Sequence, residues 1–220
     1  QKLLVNKSGN MELGTISGVV ASIGGTTPLY NSATDSSFVS SYNGSSTTYT
    51  VPNTSAITIG EVFSMYLKYT IDSSSGNYCG LIYSDDDYKI GIQIEPNSSS
   101  NHIFVPFWDS VSAHSIAFVD YITGFGSNMP QNQIKGSTYE VIVEWDRSTN
   151  GQVTITIYFK GESSSYSWTI TNSSNSQWVG SGNNSMTLAS GKSLIIGTQQ
   201  GSPDGNYFKG TMEKLAIYQR

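Results

Sequence analysis

Apolar and polar residues alternate with a period of two along most of this chain, and no stretch keeps a convincing helical period. Successive side chains of a strand point to opposite faces, so alternation of this kind builds half-buried strands. The clearest run is Val62–Ile71, where Phe63, Met65, Leu67 and Tyr69 share one face. Asn77–Tyr83 and Tyr88–Glu95 follow, separated by Ser84-Asp85-Asp86-Asp87, with Ile90, Ile92 and Ile94 on one face of the second. His102–Trp108, Ser115–Ile122, Ser165–Thr171, Ser193–Gly197 and Tyr207–Tyr218 read as further strands. Tyr139–Asp146 and Gln152–Lys160 are joined by Arg147-Ser148-Thr149-Asn150-Gly151, and Asn-Gly is a strong hairpin signal. The connecting segments are rich in Ser, Asn, Gly and Pro. Many short strands punctuated in this way predict an all-β fold, a two-sheet antiparallel β-sandwich of jelly-roll type. Neither a linker nor a break in composition appears, so residues 1–220 are expected to form a single domain.

Composition narrows the function. Charged residues make up only 12%, aromatic residues another 12%, and the formal charge is −5. A disordered chain would carry more charge and fewer aromatic rings. A surface of hydroxyl and amide groups suits an extracellular, cell-surface or virion location, in a bacterium or a phage. Without a basic run there is little to neutralise phosphates, so nucleic acid is not an expected partner. No apolar stretch approaches ~20 residues, so no membrane-spanning helix is expected. The single Cys79 cannot form an internal disulfide and is expected to be a small buried hydrophobe. The sequence opens at Gln1 without a visible signal peptide, as in a mature chain or an excised domain.

Three segments carry a family likeness. Tyr49–Ile71 (YTVPNTSAITIGEVFSMYLKYTI) has an edge strand, a Val-Pro-x-x-Ser turn and a Phe-Ser-led alternating strand. Ser137–Glu162 contains a strand, the turn WDRSTNGQ and the strand VTITIYFKG, with Lys160-Gly161 where Asp-Gly is usual. Ser193–Tyr218 ends with Phe208, Gly210, Leu215, Ile217 and Tyr218 at matching positions, and with Glu213 where Asp is usual. Together, covering about half the chain, they resemble the laminin-G-like family within the concanavalin A-like lectin/glucanase superfamily. The resemblance implies the sandwich fold without fixing a ligand, because that fold hosts lectins, enzymes, adhesion modules and spacers. It also implies a structural calcium held by an acid at the start of the last strand, here Glu213. No other cofactor is implied.

Catalytic signatures are sparse. Glucanases of this fold use Glu-x-Asp-x-x-Glu on one strand face, and Glu144-Trp145-Asp146 is the nearest match. Its third carboxylate is replaced by Ser148 or Thr149, so Glu144 and Asp146 read as a solvated strand face. His102 and His114 lack the spacing of a zinc site. No Gly-x-Ser-x-Gly elbow is present, and Gly191-Lys192-Ser193 lacks the upstream glycine of a phosphate loop. Asp85-Asp86-Asp87 reads as a solvated turn rather than a calcium loop.

Sugars are bound by aromatic faces with amide and carboxylate groups beside them. Trp178 and Trp108 are the best aromatic candidates, because each ends in or borders a polar segment. Asp109, Gln177, Asn183 and Asn184 neighbour them, and Tyr83 and Tyr78 lie on the preceding hairpin. Trp145 and Trp168 are expected to pack within sheets. The resulting expectation is a non-catalytic glycan- or polysaccharide-binding, lectin-like or adhesion module. A spacer or virion decoration domain that contacts other virion or surface proteins is the second reading. A polysaccharide-degrading enzyme is the third.

Overall fold

The computed structural model describes residues 4–5, 11–16, 19–23, 28–51, 57–60, 62–76, 78–85, 91–94, 96, 103–104, 107–108, 116–117, 135–146, 154–160, 165–171, 186–188, 190–198 and 206–219. Among them the only helix is a single 3-10 turn, Ser32–Thr34. The strands in chain order are β1 (Leu4–Val5), β2 (Met11–Ile16), β3 (Val19–Ile23), β4 (Pro28–Asn31), β5 (Ser41–Asn43), β6 (Tyr49–Val51) and β7 (Ile57–Gly60). Then come β8 (Val62–Ile71), β9 (Cys79–Ser84), β10 (Gly91–Ile94), β11 (Ile103–Phe104), β12 (Phe107–Trp108) and β13 (Ile116–Ala117). The chain continues with β14 (Thr138–Asp146), β15 (Thr154–Lys160), β16 (Ser165–Thr171), β17 (Met186–Leu188), β18 (Leu194–Ile196) and β19 (Lys209–Gln219).

Two antiparallel sheets dominate. The large sheet has the order β16-β15-β14-β8-β19-β4, with β5 also paired to β19. The small sheet has the order β11-β10-β9-β18-β6, so β6 is the edge strand that the family likeness implies. Alternation explains the core between them. Phe63, Met65, Leu67 and Tyr69 of β8 and Val141, Val143 and Trp145 of β14 project from the large sheet. They meet Leu81, Ile92, Ile94, Leu194 and Ile196 of the small sheet in one apolar cluster. Cys79 is buried in the same cluster, as expected. The fold is therefore a β-sandwich.

Most of the expected strands form, with revised ends. Within the run His102–Trp108, Ile103 and Phe104 pair with β10 and Phe107 and Trp108 pair with β13. Alternating faces and family-like positions predict Phe63, Leu67, Val143, Ile155, Ile195, Phe208 and Ile217 as core, and of these Phe63, Leu67, Val143, Phe208 and Ile217 are buried. Ile195 is corrected: it is half-buried, since Leu194 and Ile196 take the core side of β18. The side chain of Ile155 lies outside the described residues.

Gly210 locks β19 against β8. Its φ is +149°, and a Cβ placed there would lie 2.0 Å from the Thr70 carbonyl oxygen. Only a residue without a side chain permits that approach.

A polar cluster ties the segment after β4 to β6. The Asp35 carboxylate accepts hydrogen bonds from the Ser37 hydroxyl at 2.6 Å, the Ser37 amide at 2.9 Å, Tyr30 at 3.2 Å and the Tyr49 hydroxyl. These donors, Ser37 foremost, lower its pKa from 3.8 to about 2. A depressed folded-state pKa stabilises the fold above the unfolded value and loses that contribution as the pH falls through 2. Acid melting curves should therefore steepen below about pH 4. Asp35→Asn should flatten that portion. An unchanged acid limb in the variant would show that Asp35 does not couple folding to pH.

Candidate functional site

Of the candidate ligand-binding residues, the described structure includes Trp108, Tyr78 and Tyr83. Asp109, Gln177, Trp178, Asn183 and Asn184, together with His102 and His114, lie outside the described residues. Trp108 ends β12, whose ladder partner among the described residues is β13. Tyr78, 55% exposed, precedes β9, whereas Tyr83 lies near the far end of that strand, half-buried beside its partner Ile195. Five residues of strand separate the two by about 16 Å.

Glu213 is the extra residue of a bulge between Met212 and Lys214 on β19, where its carboxylate pairs with Lys68 of β8. No three His, Cys, Asp or Glu side chains gather in a metal-sized cluster among the described residues. In the acidic turn, Asp85 is structural rather than simply solvated. Its carboxylate accepts the Ser193 amide at 2.5 Å, and its own amide donates to the Ser193 carbonyl at 3.0 Å.

Sequence reasoning missed the most unusual chemistry. It lies on the face of the large sheet that points away from the core. Here β8 presents Ser64, Tyr66 and Lys68, β14 presents Glu140, Ile142, Glu144 and Asp146, and β19 presents Lys214, Ala216 and Tyr218. Register arranges them in rows. Glu144, Ser64 and Tyr218 form one row, and Ile142, Tyr66 and Ala216 the next. The centre of this face is excluded from solvent, with Ser64 at 0%, Tyr66 at 1% and Tyr218 at 3% exposure. Glu140, Glu144, Asp146 and Tyr158 are half-buried at its flank. The solvated face expected for Glu144 and Asp146 is thus corrected: both are partly buried and engaged with other groups.

Two properties of this face bear on its chemistry. Ser64 Oγ is fully buried and has no hydrogen-bond partner among the described residues. Leaving such a group unsatisfied costs about 1–3 kcal/mol, so packing alone gives no reason for it. Burial also raises the tyrosine pKa values. Tyr218 is pushed up to about 12 by burial, and Tyr66 higher still by burial and by the nearby Glu140 carboxylate. Tyr66 donates to Glu140 Oε2 at 3.4 Å. Both phenols stay protonated at neutral pH, and Tyr66 acts as a donor. Across the row, Glu144 supplies a carboxylate about 10 Å from Tyr218 between Cα atoms, two strand spacings away.

No family model matches the chain, and no curated protein matches it. Solved structures with a similar fold do. A heptameric SAP-like pentraxin from Limulus polyphemus aligns at 12% identity and a TM-score of 0.48, over 80% of this chain and 73% of its own. The PL-14 alginate lyase of Aplysia kurodai aligns at 7% identity and a TM-score of 0.43, over 79% and 82%. The enzymatically active domain of bacteriophage CBA120 tailspike protein 2 aligns at 12% identity and a TM-score of 0.47, over 87% of this chain but 31% of that one.

These findings correct the expectation of a non-catalytic lectin-like or adhesion module. Several of the similar structures are lyases of alginate or glucuronan, and one is the tailspike enzyme. The expectation that the chain is not an enzyme is corrected on the same ground. Glu144 is close in sequence to neither Ser64 nor Tyr218, and strand pairing alone brings the three together.

Proposed function

We propose that this domain is a polysaccharide-degrading enzyme working on the outer face of its large sheet. The observation that carries this reading is the row in which strand pairing sets the Glu144 carboxylate, half-buried at the flank of the face, two strands from the Tyr218 phenol. Cleaving a glycosidic link needs a group to accept a proton and a group to protonate the departing oxygen. Glu144 suits the first role as a carboxylate, and Tyr218 the second as a phenol that carries its proton at neutral pH. Tyr66, held by Glu140, borders the row as an aromatic donor.

We also read the chain as a divergent concanavalin A-like domain. Supporting this, the three segments of the family likeness supply β6, β8, β14, β15, β18 and β19, the strands around which both sheets are organised.

The test is incubation with a panel of neutral, uronate-containing and sulfated polysaccharides. New reducing ends should appear with at least one polymer. Ultraviolet absorbance of a newly formed carbon–carbon double bond would show elimination, and its absence would show hydrolysis. No chain shortening across the panel would overturn the enzyme reading.

A further inference from the structure

We infer that β16 is a contact surface for a second copy of this chain, pairing antiparallel with the β16 of that copy about a two-fold axis at Trp168. The inference goes beyond the functional reading above and does not depend on it.

A strand at the border of a sheet presents a row of backbone N–H and C=O groups to which another strand can pair. Folded proteins blunt such borders with short strands, prolines, bulges or charged side chains. The other border strands of the two main sheets carry such devices. β11 has two residues, and β5 and β6 have three each. β4 has four, begins at Pro28 and meets β19 with a register shift. β16 carries none of these. It runs for seven residues, Ser165–Thr171, without a proline or a charged residue. All seven pair with β15 in unbroken register. Among the described residues no ladder occupies the other side of β16. β2 lies against β16, but it is the middle strand of the separate β1-β2-β3 sheet and forms no ladder with β16.

The sequence of this strand points to the occupant. SYSWTIT matches itself when read in the opposite direction. In an antiparallel pair centred on Trp168, Ser165 meets Thr171, Tyr166 meets Ile170, Ser167 meets Thr169, and Trp168 meets its own copy. Every hydroxyl residue thus stands opposite a hydroxyl residue, and every apolar residue opposite an apolar one. Cross-strand pairs of these kinds favour a ladder, and with no charge in the strand no like-charge pair arises. A two-fold contact requires a surface that complements itself, whereas an unrelated partner does not. Joined in this way, the two large sheets become one continuous sheet.

Sedimentation velocity of the purified chain over a range of concentrations tests the inference. A species of twice the chain mass of 23.8 kDa should grow in as concentration rises. Combining Ser167→Lys with Thr169→Lys sets lysine against lysine on both sides of the axis, which should weaken association by roughly tenfold or more. Combining Ser167→Glu with Thr169→Lys sets glutamate against lysine at the same two places, and the dimer should persist. Both variants should keep the native circular dichroism spectrum, because Ser167 and Thr169 occupy the polar positions of an alternating strand. A native chain that stays monomeric throughout would overturn the inference. Equal dimerisation of the two variants would place the contact elsewhere on the molecule and overturn it too. Equal loss of the dimer in both would overturn the register centred on Trp168. Should the lysine variant lose its native spectrum, the glutamate–lysine variant decides alone: a dimer supports the inference and a folded monomer refutes it.

Discussion

Replacing Trp145 with alanine is expected to lower the unfolding free energy by about 3–5 kcal/mol. Trp145 is fully buried in β14, at the junction with β8 and β15. Its ring stacks on Phe63 with centroids 4.6 Å apart and planes 14° from parallel. Truncation removes that contact and leaves a cavity between the sheets that the stiff ladder on either side cannot close. The indole nitrogen, however, is buried without a hydrogen-bond partner among the described residues. Trp145→Phe should therefore cost much less, because it deletes an unsatisfied donor while keeping an aromatic ring against Phe63. Urea unfolding of the two variants checks this. Equal losses would mean that the indole nitrogen is satisfied in the native protein, and a loss under ~1 kcal/mol for alanine would mean that the core is not packed here.

The second large effect is catalytic. Glu144→Gln and Tyr218→Phe should each lower polysaccharide cleavage by roughly 10²–10⁴-fold, the usual contribution of a positioned acid or base. Both substitutions nearly preserve volume, so neither should perturb the ladder as a truncation would. If Glu144 accepts a proton, activity in the native protein should fall on the acid side as that carboxylate is protonated, and the glutamine variant should lose this limb. Circular dichroism of each variant should match the native spectrum. Full activity in both variants would remove this row from the mechanism, whatever the chain degrades.

The residues differ in how much of their role can be read along the chain. Phe63, Met65, Leu67 and Tyr69 announce their shared face through alternation alone, because the period of a strand is a local property. Trp145 is recognisable as a sheet-packed residue for the same reason, flanked as it is by Glu144 and Asp146 within an alternating run. Alternation does not place Ile195, because Leu194, Ile195 and Ile196 are all apolar, and an unbroken apolar run does not say which side faces inward. The short strand β7 was likewise hidden: it pairs with β17, and its ladder joins residues far apart in the chain.

The site shows the same division more sharply. An aromatic residue in a polar segment is a visible signal, and it led to Trp108 and Trp178. A serine in the middle of a strand is not, and Ser64 looks like any polar residue on the solvent side of β8. Tyr66 and Tyr218 offer no more, since aromatic residues are common in strands.

By itself the sequence determined that the chain is a strand-built sandwich, that Phe63, Leu67, Val143, Phe208 and Ile217 are core, and that Cys79 is a buried thiol. Those properties follow from local periodicity and hydrophobicity. Only the tertiary structure decided that Glu144, Ser64 and Tyr218 stand in one row, that the outer face of the large sheet is buried at its centre, and that Lys214 faces Lys68 while Glu213 offsets the repulsion. Register between residues 80 or more positions apart made those choices. That register is set by the fit of whole sheets over a shared core, a non-local property that no single segment carries.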